Sequence, residues 1–255
     1  MELADKVAVI TGGSGGIGRA MAKAFLDQGA RAVVLADLSA DAVAAAAAEL
    51  GCSGRACDVT DEQQIIDLVE WTMDQFGPID LFCSNAGAGG EGVLTDAPNE
   101  VWQKQWELHV MSHVYAARAV LPSMTARGEG YLLNTASAAG LLAALGSGPY
   151  SVTKAAAVKL AEFLAITHGD EGIKVSVLCP QGVNTAMAPR SLGDGQTDGI
   201  IEADELAQVV VETLREERFY VLPHPEVEEY VRRKGDNIDR WLGGMRRLRQ
   251  RTLQG

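Results

Sequence analysis

Positive charge is what this chain has least of. Lys and Arg number 22 against 34 Asp and Glu over 255 residues, a net charge of −12 with a pI near 4.8. Nucleic acids and anionic membrane surfaces select basic patches, so both are disfavoured as partners and a small or neutral ligand fits better. Cysteine pairing is missing as well: Cys52, Cys57, Cys83 and Cys179 show no CxxC spacing. They fall in or beside apolar runs, the pattern of buried, reduced thiols in an intracellular protein, and leave no metal site of zinc type. No apolar stretch reaches the ~18 residues of a membrane span. Met1-Glu2-Leu3-Ala4-Asp5-Lys6 is charged and lacks the basic-then-apolar order of a signal peptide. A soluble, cytoplasmic protein is expected. With 47% hydrophobic residues, one sizeable core and a single domain over 1–255 are expected too.

What is present begins with Val7-Ala8-Val9-Ile10, an uninterrupted apolar run of the kind found in strands buried on both faces. It ends in Thr11-Gly12-Gly13-Ser14-Gly15-Gly16-Ile17-Gly18, followed by a helical pattern over 19–26 that Gly29 closes. A turn without side chains lets backbone approach a pyrophosphate, whose charge is met by free N–H groups and the helix dipole. A flexible loop is the other reading of the glycines alone. Arg19-Ala20 follows Gly18 where a P-loop needs Lys and then Ser or Thr, so a P-loop is disfavoured. A second strand over 32–36 delivers Asp37 about 20 residues beyond Gly18, the position of the acid that grips the ribose hydroxyls of NAD. An acid repels the 2′-phosphate of NADP, and neither Gly15 nor Leu38 supplies a compensating cation. NAD is therefore the expected cofactor. The alternative for Asp37 is a helix N-cap, a role that Ser39 or Asp41 can also fill.

Further strands are expected at 55–59, 79–83, 131–135, 174–179 and 219–222, with helices at 62–76, 100–124 and 150–166. Strands alternating with helices predict an α/β fold, a doubly wound parallel sheet in three layers with ligands at the carboxyl ends of the strands. Asp58 and Val59 end the third strand beside any bound adenine, and Thr60 with Gln63 forms a candidate capping box. Asn85-Ala86-Gly87 closes the fourth strand with residues small enough to run along a flat cofactor. The 100–124 helix carries Trp102, Trp106, Leu108, Val110, Val114, Tyr115, Val120 and Leu121 over a wide arc. Such a helix is buried broadly or shared with another subunit, in a dimer or a tetramer. The irregular stretch 184–203 reads as a lid over the site or as a surface loop. The tail 225–255, with Arg240, Arg246, Arg247, Arg249 and Arg251, reads as a solvated or subunit-facing helix.

Tyr150 and Lys154 stand one helical turn apart, so a phenol and an ammonium address one small volume. A nearby positive charge lowers a phenol's pKa from its ordinary ~10, which suits proton transfer. Taken alone, the pair also reads as a packing aromatic and a solvated cation. Ser137 follows the fifth strand at the same rim.

These residues resemble the short-chain dehydrogenase/reductase family. The resemblance runs from Thr11-Gly12 with Gly16 and Gly18 through Asp58, Asn85-Ala86-Gly87, Ser137 and Tyr150 with Lys154 to the stretch from Pro180 to Thr185. It implies a Rossmann-type fold, reversible hydride transfer between nicotinamide and an alcohol or ketone, and frequently a homotetramer. Cofactor contacts are implied for Gly12, Ser14, Gly15, Gly16, Ile17, Gly18, Asp37, Leu38, Asp58, Val59, Asn85, Ala86 and Gly87. Tyr150, Lys154, Pro180, Gly182, Val183 and Thr185 complete that set. In this reading Tyr150 moves the proton, Ser137 hydrogen-bonds the substrate oxygen, and Lys154 lowers the Tyr150 pKa and holds the nicotinamide ribose.

Two positions depart from the family pattern. His109 stands where the family places an Asn that completes a proton relay. Imidazole both donates and accepts and titrates near neutrality, so a relay is one reading and a core histidine satisfied by a backbone carbonyl the other. Gln181 stands where a Gly is usual, and either touches substrate or shapes its loop. The substrate wall, with Leu142 and Ala144, is small and apolar, and the lid adds Met187 and Leu192. No basic cluster faces it, although Arg190 on the lid is a candidate cation. An uncharged, hydrophobic secondary alcohol or its ketone is expected. Two other functions compete. A non-catalytic NAD-sensing protein has no use for Ser137, Tyr150 and Lys154 together, and an NADPH-linked ketoacyl reductase wants a basic residue near Gly15 or after Asp37.

Overall fold

Residues Val7 and Val9 pack on one face of the first strand, and Ala8 and Ile10 on the other. Side chains alternate across a strand, so one apolar run feeds two cores. The computed structural model describes residues 1–90, 92–185 and 198–252. In chain order it forms β1 (Val7–Thr11), α1 (Gly16–Asp27), β2 (Ala32–Asp37), α2 (Ala40–Leu50), β3 (Ser53–Ala56) and α3 (Glu62–Phe76). Then come β4 (Leu81–Ser84), α4 (Asn99–Trp106), α5 (Ser112–Arg127), β5 (Gly130–Thr135), α6 (Ala138–Leu141) and α7 (Gly148–His168). The last third holds β6 (Ile173–Leu178), β7 (Gly182–Asn184), β8 (Ile200–Glu202), α8 (Ala203–Glu216), β9 (Tyr220–Val221), α9 (Glu226–Asp236) and α10 (Ile238–Thr252).

Seven strands pair in parallel in the order β3-β2-β1-β4-β5-β6-β9. The order reverses direction between β1 and β4, which opens a crevice at their carboxyl ends. One core lies between the sheet and α1, α2 and α8; the other lies under α3, α5 and α7. The expected α/β, three-layer, doubly wound parallel sheet is therefore what forms. Among the described residues no helix is long and apolar enough to cross a membrane.

Several boundaries differ from the sequence expectation. The third strand ends at Ala56, so Asp58 and Val59 lie in the turn beyond it, where Asp58 Oδ1 accepts from the Thr60 N–H at 2.9 Å and its hydroxyl at 2.7 Å. With its hydroxyl engaged, Thr60 does not form the expected capping box. Asp61 caps α3 instead, accepting from Gln63 N at 2.9 Å and Gln64 N at 3.4 Å. The 100–124 helix is split by a π-helical turn, Glu107–Met111, closed by Ser112 N–H donating to the Glu107 carbonyl. His109, Val110, Ala116, Ala117 and Val120 are buried, whereas Trp106 is exposed. The 184–203 stretch is anchored at both ends by the parallel pair β7 and β8 and by Asn184 Nδ2 donating to Glu202 Oε1 at 2.9 Å. Met187, Arg190 and Leu192 lie outside the described residues. The 225–255 tail is helical as far as Thr252, with its arginines exposed. Of the four free cysteines, Cys57, Cys83 and Cys179 are buried and Cys52 is half-buried.

The turn between α7 and β6 depends on Gly172, whose φ of +83° only glycine adopts cheaply and whose Cβ position would overlap the Gly128 carbonyl. Gly51 has a similar φ of +68° but open space around it. Gly51→Ala should therefore cost only the left-handed penalty of about 1–2 kcal/mol. Gly172→Ala should cost clearly more in urea unfolding, and equal losses for the two variants would contradict the overlap.

Candidate active site

The carboxyl edge of β1, β4 and β5 is tied together by one residue. Asn85 donates from Nδ2 to the Thr11 carbonyl at 3.0 Å and accepts from Thr135 Oγ1 at 3.1 Å on Oδ1. Thr11 Oγ1 in turn accepts from Asn85 N at 2.9 Å and Ala86 N at 3.1 Å. The Asn85 amide thus faces protein.

Beside it runs the glycine turn. Gly12 has φ of +63°, and a Cβ there would stand 2.9 Å from Ala86 Cα; a Cβ on Gly18 would overlap the Gly12 carbonyl. Gly15 precedes α1 without any side-chain cap, so the first-turn N–H groups keep the unmet donors and positive dipole end that an anion satisfies. Such a cradle fits the diphosphate of a dinucleotide. Thr185, at the end of the 180–185 segment, packs on Gly16, where a Cβ would lie 2.6 Å from Thr185 Cγ2. Val183 of β7 is buried behind it. Asp37 Oδ2 accepts from Ser14 N at 3.0 Å and Ser14 Oγ at 2.6 Å, and Oδ1 accepts from Leu38 N at 2.8 Å. The helix cap is Ser39, which accepts from Ala42 N at 3.3 Å, so Asp37 holds the turn and does not cap α2.

At the other end of the edge stand Ser137, Tyr150 and Lys154. Ser137 caps α6, accepting from Ala139 N at 3.1 Å, and its hydroxyl donates to the Pro180 carbonyl at 3.4 Å. It lies near enough to the Tyr150 phenol to influence its ionisation. Lys154 is 3% exposed, and its Nζ donates to the Thr135 carbonyl at 3.0 Å. That ammonium lies 5.8 Å from the Tyr150 ring centroid, within cation–π range. Burial pushes the Lys154 pKa down to about 8. The expected lowering of the Tyr150 pKa is not what this environment produces. Burial raises it, and the Ser137 hydroxyl opposes that only in part. Tyr150 is therefore a neutral phenol, a proton donor, across the physiological range.

His109 sits in the π-helical turn and is fully buried. The Ala88 N–H donates to its Nε2 at 3.2 Å, which places the ring proton on Nδ1, 3.1 Å from Thr153 Oγ1. Thr153 donates onward to the Pro149 carbonyl at 2.9 Å. Both ring nitrogens are thus engaged, by a backbone amide and a hydroxyl where a carbonyl was expected. The His109 ring meets Tyr150 edge to face at 5.5 Å. Titration near neutrality is not found either, since burial and then the Lys154 charge push its pKa down to about 2. His113, one turn on, is pushed down to about 3 by burial and by Lys154.

Sequence reasoning passed over several groups at this rim. Gln105 donates from Nε2 to the Gly89 carbonyl at 3.1 Å, and both its amide atoms press on Gly90 beside Tyr150 Cβ. Gln181, which the sequence did single out as touching substrate or shaping its loop, donates its N–H to His224 Nδ1 at 3.3 Å, and Tyr230, which it did not, donates to Asp198 Oδ1 at 2.8 Å. The signal for His224 was its place just after the last strand, on the edge where ligands collect. Leu142 and Ala144 lie in the α6–α7 loop, which Ser151 ties to α7 by accepting from Ala144 N at 2.9 Å.

A doubly wound sheet with a glycine cradle at one end of its edge and Ser, Tyr and Lys at the other defines a dinucleotide-dependent oxidoreductase class. The family model for short chain dehydrogenases matches residues 6–194, and the chain belongs to the short-chain dehydrogenase/reductase family. It is 34% identical over 251 residues to a 1-deoxy-11-beta-hydroxypentalenate dehydrogenase of Streptomyces exfoliatus, covering 93% of this chain and 90% of that one. Over 190 residues it is 33% identical to 3beta-hydroxysteroid dehydrogenase 2 of Eggerthella lenta, covering 72% and 73%. A short chain dehydrogenase/reductase from Burkholderia phymatum, solved in complex with NAD, superposes with a TM-score of 0.85 at 30% identity, covering 94% of this chain and 96% of that chain.

Two measurements follow from the burial. The tyrosinate absorbance of Tyr150, read as the difference between the native protein and Tyr150→Phe during alkaline titration, should rise later than that of an exposed tyrosine. An inflection near pH 8 would contradict it. For His109 the folded pKa is depressed, to about 2 from 6.5, so its share of stability is present above pH 6.5 and is lost as pH falls. His109→Asn should remove about 1.4 kcal/mol per pH unit from the slope of unfolding free energy in mild acid. An unchanged slope would mean that the ring is protonated in the native state.

Proposed function

We propose that this protein is an NAD-dependent oxidoreductase that interconverts a hydrophobic, uncharged secondary alcohol and its ketone. The observation that carries this reading is the meeting of Ser137, Tyr150 and the buried Lys154 at one rim, with a side-chain-free cradle further along the same edge. The cradle from Gly12 to Gly18 would hold the diphosphate, Asp37 would face the adenosine ribose, and Lys154 the nicotinamide ribose. Asp58, Val59, Asn85, Ala86, Gly87 and the 180–185 segment would flank it. A bound nicotinamide supplies the hydride acceptor for oxidation and the donor for reduction.

The chain's own residues handle the proton. As a neutral phenol, Tyr150 donates to the ketone oxygen in reduction; in oxidation it must first lose its proton, which higher pH favours. Ser137 hydrogen-bonds the same oxygen where charge develops. Lys154, fixed on the Thr135 carbonyl, places one positive charge beside the phenolate that reduction leaves. His109, neutral and doubly hydrogen-bonded, positions Tyr150 and the Ala88 backbone. An acid at Asp37 with no cation at Gly15 or Leu38 supports NAD over NADP. The apolar wall with Leu142 and Ala144 supports an apolar substrate body, and the names of the hydroxypentalenate and hydroxysteroid enzymes support a hydroxyl at the reacting carbon. A cytoplasmic homotetramer belongs to the same reading; exposed Phe163 and Ile166 on α7 favour a subunit contact, which a dimer would also satisfy.

A panel of secondary alcohols and ketones run with NAD and NADP tests the proposal. Tyr150→Phe should lower kcat about 10²–10⁴-fold with the Kd for NADH nearly unchanged. Retained turnover in that variant removes the mechanism, tighter NADP binding removes the role of Asp37, and binding without any reduction indicates a sensor.

A further inference from the structure

The order of strands at the sheet's edge sets out a second site. β5, β6 and β9 are neighbours, and each is followed at its carboxyl end by a polar residue: Ser137, Gln181 and His224. Neighbouring strands lie about 4.8 Å apart, so His224 stands roughly 10 Å along the rim from Ser137. The two are linked through Pro180, whose carbonyl accepts from Ser137, and through Gln181, whose N–H donates to His224 Nδ1.

His224 is 2% exposed, and its Nε2 has no hydrogen-bond partner among the described residues. The same holds for Gln181 Oε1 and Asp198 Oδ2, both buried. Glu226 and then Asp198 lie close enough for their charges to oppose the effect of burial on His224, and Tyr230 donates to the other Asp198 carboxylate oxygen at 2.8 Å. Buried polar atoms without partners are uncommon, and three on residues that neighbour one another, Gln181 through its N–H and Asp198 through its charge on His224, call for a ligand or water.

The donor pattern selects the ligand. Burial lowers the His224 pKa, so the ring is neutral, and Nδ1 accepting from Gln181 leaves the proton on Nε2. The unpartnered atoms are thus one donor, His224 Nε2, and two acceptors, Gln181 Oε1 and Asp198 Oδ2, beside a ring that Glu226 and the Gly182 and Gly199 backbone also influence. A hydroxyl accepts from the first and donates to one of the others. A carboxylate or phosphate would meet Asp198 and a chain of net charge −12.

We infer that Gln181, His224 and Asp198 form a specificity subsite for a second hydroxyl group, at the opposite end of an apolar substrate from the carbon held by Ser137 and Tyr150. The substrate class is then a compact cyclic hydroxy ketone or the corresponding diol. This rests on the proposed function for the place of the reacting carbon.

The test compares 2-decalone with 6-hydroxy-2-decalone, which differ by one hydroxyl at the far end of the bicycle. In the native enzyme with NADH the hydroxylated ketone should show a KM about tenfold lower, the effect of a hydrogen bond completed at a buried site. In His224→Phe and in Gln181→Leu the KM ratio should fall to about one; taking the ratio within each enzyme removes any general loss of folding or activity. Equal KM values in the native enzyme would overturn the subsite and mean that these atoms hold buried water only. A ratio that survives in both variants would also overturn it. Calorimetric Kd values for the two ketones on Tyr150→Phe with NADH give the same comparison without turnover. If the native enzyme reduces neither ketone, the proposed reaction fails while the Kd ratio still decides the subsite.

Discussion

Asn85 is the residue on which the rest of the site hangs. Its amide bridges β1 to β5 across β4, taking one hydrogen bond from Thr135 and giving one to Thr11. Each bond contributes only about 1 kcal/mol, but the geometry matters more than the sum. Thr11 leads directly into the glycine turn, and the Thr135 carbonyl holds Lys154. The cradle at one end and the ammonium at the other are thus referred to the same side chain, the kind of support that keeps reacting groups within a fraction of an ångström.

Around that frame the site is built to hold a single charge. Lys154 is buried, and four titratable groups around it are kept neutral by the same burial: Tyr150 as phenol, His109 and His113 as imidazoles, Cys179 as thiol. In a poorly solvated site an ammonium acts at longer range than in water. Its first effect here is to suppress neighbouring cations, since it lowers both histidine pKa values. The phenol does not come down with them, because its own desolvation is the larger influence. A second negative or positive charge in this volume is costly until a reaction creates it, which favours chemistry in which Tyr150 starts as an acid.

The glycine-turn side of the fold was readable because its parts are consecutive. A strand, a glycine turn, a helix and an acid lie between Val7 and Asp37, and period, glycine spacing and strand ends mark them locally. The same held for Tyr150 and Lys154, whose relation is one helical turn. What escaped the sequence is tertiary in origin. Residues 107–111 carry no local mark of a π-helical turn, since nothing in Glu107-Leu108-His109-Val110-Met111 breaks an α pattern. The turn is visible only where His109 must reach the Ala88 amide and Thr153 together. The sign of the Tyr150 shift was missed for a related reason. Helical spacing reveals that Lys154 is near, but not that the phenol is dry.

The β5–β9 end of the rim resists sequence reading for a different physical reason. It is assembled from the ends of elements far apart in the chain: Ser137 after β5, Gln181 after β6, His224 after β9, Asp198 before β8 and Tyr230 on α9. Only strand order makes them neighbours. Once that order is known, the rim becomes a ruler: the glycine turn lies toward β1 and β4, Ser137 with Tyr150 and Lys154 at β5, and further along are β6 and β9. Trp241 on α10 extends the line outward, its ring 6.3 Å from that of Tyr230. Among the described residues the hydrogen bonds of Asn85 and Lys154 do not reach the β9 end, whereas Ser137 is joined to it through Pro180 and Gln181. The frame around Asn85 and the far end of the rim were therefore legible to different degrees, because they are built on different lengths of chain.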